Sequence, residues 1–169
     1  MKDIIPKQLL RDIKLQGEAA RYGFGGNVRI DLIDFFSGQF AGRIEGHNLV
    51  VSGGLSAFAR ALAGYDTLSQ ITHIAYGSDA TATVPGQVAL GAEVAGGRLP
   101  ISRLVAVGPT ATAQHYLASG QLNGLTLREI GLYAGTILVA RFTFNEPTLQ
   151  PKTSARAVVV TWSVTGSAV

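Results

Sequence analysis

Apolar and polar residues alternate with a period of two along most of this chain, and the pattern predicts strands. Val28–Phe36 (Val-Arg-Ile-Asp-Leu-Ile-Asp-Phe-Phe) alternates and then turns continuously apolar. Ser37-Gly38 follows as a turn, and Gln39–Glu45 answers as the second arm of a hairpin. Gln70–Tyr76 reads as a strand, and Arg98–Val107 as another, bent early by Pro100. Thr110–Ser119 and Leu125–Tyr133 flank Asn123-Gly124, a turn dipeptide, so they are expected to pair. Arg128-Glu129 breaks the alternation of Leu125, Leu127, Ile130 and Leu132; a β-bulge would restore it, with the two charges paired there. Thr136–Phe144 sets Leu138, Ala140, Phe142 and Phe144 on one face. Ala155–Val164 does the same with Val158, Val160, Trp162 and Val164, and puts Ala157, Thr161 and Ser163 on the other.

One segment has the helical period instead. Leu49–Val51 leads into Gly54–Ala63, where Leu55, Phe58, Ala59 and Leu62 form an apolar stripe at i, i+3, i+4 and i+7. Ser52 is the expected N-cap and Gly64 the expected terminator. Two long loops remain, Gly77–Leu90 and Asn145–Lys152; loops of this kind are functional or ordered by a partner. The N-terminus differs from the rest. Leu9, Leu10, Ile13 and Leu15 alternate with Lys7, Arg11, Asp12 and Lys14, a pattern for a short amphipathic helix after Pro6. Gly23-Phe24-Gly25-Gly26 then reads as a hinge. Residues 1–26 are therefore an arm or a helix packed on its own domain, and 27–169 a β-rich domain. About eight strands with regular turn signals predict a mainly β fold: an antiparallel β-sandwich or barrel-like domain with one central α-helix and an N-terminal arm.

Composition narrows the function. Charged residues make up 15% of the 169 and hydrophobic ones 47%, so little charge is on hand to cover a surface. Either Ser, Thr and Gly cover it, or neighbouring subunits do. The net charge of +3 comes from 14 basic and 11 acidic residues, and no Lys/Arg run has the density of a nucleic-acid patch. The absence of cysteine excludes disulfides, thiol catalysis and Cys-type zinc sites. The apolar runs Ile137–Ala140 and Ala157–Val160 are far shorter than the roughly 20 residues of a membrane-spanning helix. Lys2, Asp3, Lys7, Arg11, Asp12 and Lys14 leave no apolar signal-peptide core, so synthesis and folding in a cytoplasm are expected.

No catalytic motif stands out. His47, His73 and His115 lack a second ligand at metal spacing, although His73 and His115 both fall in strands and could meet in space. Gly54-Leu55-Ser56-Ala57-Phe58 is not a nucleophile elbow, and Gly23–Gly26 lacks the strand and helix of a phosphate loop. Gly53-Gly54 before the helix is better read as a sharp turn than as an anion site. No catalytic, cofactor-binding or metal residues are assigned, and no cofactor is expected. The apolar residues of the N-terminal region, Leu9, Leu10, Ile13, Tyr22 and Phe24, are instead the candidate interface.

Five segments in order carry a resemblance: His47–Leu55, Ile71–Ser78, Ala89–Val94, Leu125–Tyr133 and Thr161–Val164. Together they resemble the small β-rich structural proteins of bacteriophage tails, of the tail-fibre and tail-collar kind. The likeness covers about 47–164; residues 1–46 fall outside it, and Ser52 stands where Asn is expected. It implies a virion structural subunit of the tail (fibre, collar or baseplate adaptor), assembled in the host cytoplasm as a homo-oligomer, a trimer or a ring, with other virion proteins. Neither nucleic acid nor membrane is expected as a partner, given the sparse Lys/Arg and the short apolar runs. The competing expectations are a module binding a host receptor or glycan, and a head decoration or head–tail joining protein. The receptor reading calls for aromatics in loops 77–90 and 145–152, and these loops have none.

Overall fold

The computed structural model describes residues 22–64 and 70–168. Ten strands and one helix follow one another: β1 (Tyr22–Asp34), β2 (Phe40–His47), β3 (Leu49–Val50), α1 (Ser52–Leu62), β4 (His73–Gly77), β5 (Glu93–Pro100), β6 (Arg103–Val107), β7 (Thr110–Leu117), β8 (Glu129–Ala134), β9 (Ile137–Thr143) and β10 (Arg156–Ala168). They form two five-stranded antiparallel sheets, ordered β2-β1-β10-β7-β6 and β3-β9-β8-β4-β5. The sheets pack face to face as a sandwich, which decides between the two architectures the alternation allows.

The alternating positions build its core. Val28, Ile30 and Leu32 of β1 and Val158, Val160 and Trp162 of β10 are all buried, facing Ile74, Tyr76, Ile130, Leu132 and Ala140 from the second sheet. β1 and β10 stay paired over their whole length, from Tyr22 opposite Ala168 to Asp34 opposite Arg156. Gly23–Gly26 is therefore strand and not hinge, and the domain begins within the stretch expected to be arm. Glycine is a poor strand former alone, but a thirteen-residue ladder holds it. Leu9, Leu10 and Ile13 lie outside the described residues.

Three expectations about pairing are corrected. Thr110–Ser119 and Leu125–Tyr133 do not form a hairpin: β7 lies in one sheet and β8 in the other. Gly124 does take a positive φ of 78°, but its N–H bonds to the Lys152 carbonyl across the connection and not to a partner strand. Arg98–Val107 is not one strand. Pro100 ends β5, the Ile101 N–H bonds to Thr72 at the edge of the second sheet, and the Ser102 N–H bonds to Gln114 in the first. The chain thus changes sheets at the proline, which has no N–H to continue a ladder. Lastly, Glu129 opens β8 with no bulge beside it, and every residue of β8 is buried. A strand covered on both faces has no alternation to read.

The helix sits where predicted, but turned. Its N-cap is Val51, with no side-chain cap, while the Ser52 hydroxyl donates to the Pro85 carbonyl at 3.0 Å. Gly64 follows the C-cap with a φ of 69°, as a terminator should. The residues turned inward are Gly54 and Ala57, whereas Leu55 and Phe58 are each 45% exposed and Ala59 is exposed too. Side-chain burial at Leu62 is outside the description. The reason is contact at the backbone. A Cβ on Gly53 would meet the Leu138 carbonyl oxygen at 2.8 Å, and one on Gly54 would run into the Val139 carbonyl. The glycine pair lets α1 lie directly on β9, and that close approach rotates the larger apolar side chains aside.

Candidate assembly surfaces

Charge occurs deep inside the second sheet. Glu129 and Arg141, on adjacent strands, are almost fully buried, and Arg141 Nε donates to Glu129 Oε2 at 2.6 Å. Glu129 also accepts the N–H groups of Gly91 (3.0 Å) and Ala92 (2.7 Å). Arg141 donates onward to the Thr81 carbonyl (2.8 Å), to Gln87 (3.2 Å) and to Asp79 (3.0 Å). Asp79 is held below the usual carboxylate range, first by the Thr81 hydroxyl and N–H and then by Arg141. Every one of these partners outside the strands lies between Asp79 and Ala92. The long 77–90 loop is thus tied down from within by two buried charges. The expected pairing of Glu129 with Arg128 is corrected: Arg128 Nε donates instead to Gln150 at 2.8 Å. With its lone pairs and N–H groups taken up by loop backbone and by the Gln87 and Asp79 side chains, the pair is built to hold structure.

The β1–β2 hairpin shows the reverse. Phe35, Phe36 and Phe40 are 52%, 79% and 60% exposed at its tip. The turn beneath them is tightly bonded. The Asp34 carboxylate accepts the N–H and hydroxyl of Ser37 at 3.0 and 2.9 Å and Arg156 Nη1 at 2.6 Å. These donors, Ser37 foremost, lower its pKa. The Phe35 N–H bonds to the Ala155 carbonyl at 3.0 Å. Phe35 and Phe36 meet edge to face at 5.9 Å, and the Arg43 guanidinium lies over the Phe40 ring at 5.5 Å. These bonds hold the turn in a form that leaves the three rings in solvent. Contiguous exposed aromatics on a bonded turn are a candidate contact surface. The run Asp34-Phe35-Phe36 carries this signal in the sequence, where it reads only as strand.

A second apolar surface lies at the other end of β1, roughly 35 Å away at about 3.3 Å per residue. There Phe24 meets Phe58 of α1 edge to face at 4.6 Å. The two rings flank an apolar groove of about 180 Å³, floored by Val50, Gly54, Ala57 and Val139. Phe24, a candidate interface residue, is partly buried and packs against the core. Tyr22 opens β1 beside it opposite Ala168. The structure therefore places Phe24 as a wall of a groove, not as a free anchor.

The histidines are separate. His115 is buried, and its Nδ1 donates to the Pro100 carbonyl at 3.0 Å; burial pushes its pKa down. His73 Nδ1 lies 2.8 Å from the Thr72 hydroxyl. His47 is on a shallow concavity of about 610 Å³ with Asn27, Arg29, Glu45, Thr161 and Ser163, on the outer face of the first sheet. Among the described residues no three His, Asp or Glu side chains cluster as metal ligands would. Among them, too, no helix is long and apolar enough to cross a membrane. Set against protein-family models, curated proteins and solved structures, the chain matches none of them significantly.

Proposed function

We propose that this protein is a structural component of a bacteriophage tail, a fibre, collar or baseplate adaptor, which acts by assembling with copies of itself and with other virion proteins. The tail assignment rests on the sequence resemblance over 47–164. The assembly part rests on one observation: a bonded hairpin turn that presents Phe35, Phe36 and Phe40 to solvent. Exposed rings on a rigid turn gain by burial, and each fully buried aromatic side chain is worth about 1.5–3 kcal/mol.

The test is light scattering on the full-length protein, alone and with Phe35, Phe36 and Phe40 all changed to serine. A stable oligomer that the triple change takes apart is the expected result. A wild-type protein that stays monomeric at high micromolar concentration removes the self-assembly reading. Electron cryo-microscopy of the virion then assigns the position, in the tail as proposed or in the head as decoration or joining protein. The aromatic tip also favours a second reading, a host-receptor or glycan contact, since exposed rings stack on sugar faces; a glycan array with the same triple variant separates the two.

A further inference from the structure

We propose that the apolar groove between α1 and the start of β1 is the seat of this chain's own N-terminal segment, residues 7–15, which sinks one side chain of its Leu9–Leu10–Ile13 stripe into it and lays the others along the rim. Three observations converge. First, the groove is lined only by apolar side chains, from α1 (Ala57, Phe58, Ala61) and from both sheets (Phe24, Val50, Val139). Its volume of about 180 Å³ is near the ~150 Å³ of an apolar cavity that takes one benzene. It accepts one large aliphatic side chain, and the half-exposed Phe58 extends the contact surface at its rim.

Second, the chain outside the described residues ends at this mouth. Tyr22 is two residues from Phe24, which forms a wall of the groove. The six residues 16–21 span up to about 20 Å when extended, ample to bring 7–15 onto α1. A tether this short holds the segment at an effective concentration in the millimolar range. Third, the chemistry selects this site over its neighbour. The concavity on the outer face of the first sheet also lies close to the start of β1, but it is lined by Asn27, Arg29, Glu45 and His47. Leucine and isoleucine at i, i+1 and i+4 of the helix the sequence predicts, with Arg11 opposite them, suit a groove lined by apolar side chains better than one that carries Arg29, Glu45 and His47. The inference does not rest on the tail reading and holds equally for a monomer.

The chain has no cysteine, so introduced thiols report without background. In the full-length protein, Ile13→Cys is combined with Ala61→Cys at the groove rim. The comparison pairs are Arg11→Cys with Ala61→Cys, and Ile13→Cys with Val107→Cys on the exposed β6–β7 turn. Oxidation of the Ile13/Ala61 pair at least tenfold faster than both others, giving an intrachain product on a non-reducing gel, is the expected result. An interchain product with the same preference supports the seat as well, with the segment exchanged between copies. Equal rates for the three pairs overturn the proposal. So does an Ala61→Cys thiol that resists both oxidation and alkylation, because another occupant, such as 65–69, then covers the groove. Hydrogen exchange on the unaltered full chain gives an independent readout. Amides in 7–15 should be protected, and Ala61→Arg should speed their exchange at least tenfold; exchange at the free-peptide rate in the unaltered protein overturns the seat.

Discussion

The interior of the second sheet and the tip of the β1–β2 hairpin are built the opposite way round. In the first, Glu129 and Arg141 place full charges where almost no solvent reaches. In the second, three phenylalanines stand in solvent on a turn held by Asp34, Ser37 and Arg156. A chain with 15% charged residues would cover its surface better with those charges outside and those rings inside. The inversion is instructive. Buried ions cost several kcal/mol each to desolvate and are kept where their hydrogen bonds fix a particular arrangement; here that arrangement is the 79–92 loop. Exposed rings are kept where something else covers them. One region is satisfied within the chain, and the other leaves apolar rings in solvent.

The comparison breaks most visibly at Arg141. Arg141→Met leaves the Glu129 carboxylate buried without its cation and releases Thr81, Gln87 and Asp79 together. The expected loss is about 3–5 kcal/mol of unfolding free energy, read from the denaturant midpoint. Adding Glu129→Gln to Arg141→Met should recover part of it, because the orphaned charge is then gone. A loss under about 1 kcal/mol would mean that the pair is not what orders the loop.

How much of this is legible in the chain depends on how many faces an element shows to solvent. β1 and β10 have one face inward, so their alternation is plain, and Val28, Ile30, Val158, Val160 and Trp162 lie in the core as the pattern predicts; β9 is covered by α1 as well, and a register shift against β8 parts Leu138 from Ala140, which the alternation had set on one face. β8 is buried on both sides, and its Glu129 looks like a flaw in a pattern that does not exist there. Its true partner, Arg141, is twelve residues on and one strand across, a relation that only the sheet register supplies. The helix is legible as a helix, but its inward face is not. Periodicity weighs side chains, whereas two glycines dock by having none. The aromatic tip is visible as residues and invisible as a surface, because exposure depends on what the turn beneath them is bonded to. The arm boundary fails for a similar reason: four glycine-rich residues read as a hinge until β10 is laid beside them.

The helix contact gives the next largest effect. Gly54→Ala drives a Cβ into the Val139 carbonyl, and backbone cannot yield as a side-chain tip does. Overpacking of this sort costs about 1–3 kcal/mol, whereas Ser56→Ala on the exposed side of α1 should stay within about 0.5 kcal/mol. Thermal melts of the two variants side by side decide it. Equal melts would mean that α1 is free to lift off β9, and the groove beside Phe24 would lose its floor.

A smaller effect is confined to a pH window. His115 is neutral and buried, with its pKa pushed below the ordinary 6.5 by desolvation. As the pH falls through 6.5 the unfolded chain takes up a proton that the folded one refuses. Stability is therefore full above 6.5 and declines as the pH drops from there towards the lowered folded value. One proton limits the slope to about 1.4 kcal/mol per pH unit. His115→Gln, which has nothing to titrate, should flatten the profile between about pH 7 and 5 by that proton. An unchanged profile would show that His115 protonates as readily inside the sandwich as outside it.

The smallest effect on folding belongs to the region most exposed. Phe36 is 79% accessible, so serine there forfeits little burial in the isolated subunit. What it does lose is the edge contact with Phe35, and aromatic pairs of that kind contribute about 0.5–1.5 kcal/mol. Phe36→Ser should therefore lower the unfolding free energy of the monomer by less than about 1 kcal/mol. The Asp34–Ser37–Arg156 bonds beneath it stay in place, since none involves the ring. Association is a separate readout of the same variant, and it should weaken while the melt hardly moves. That split is what distinguishes a surface kept for a neighbour from one that belongs to the core. Should Phe36→Ser unfold the protein as readily as Arg141→Met, the ring packs inward in solution, and the contrast between the two regions disappears.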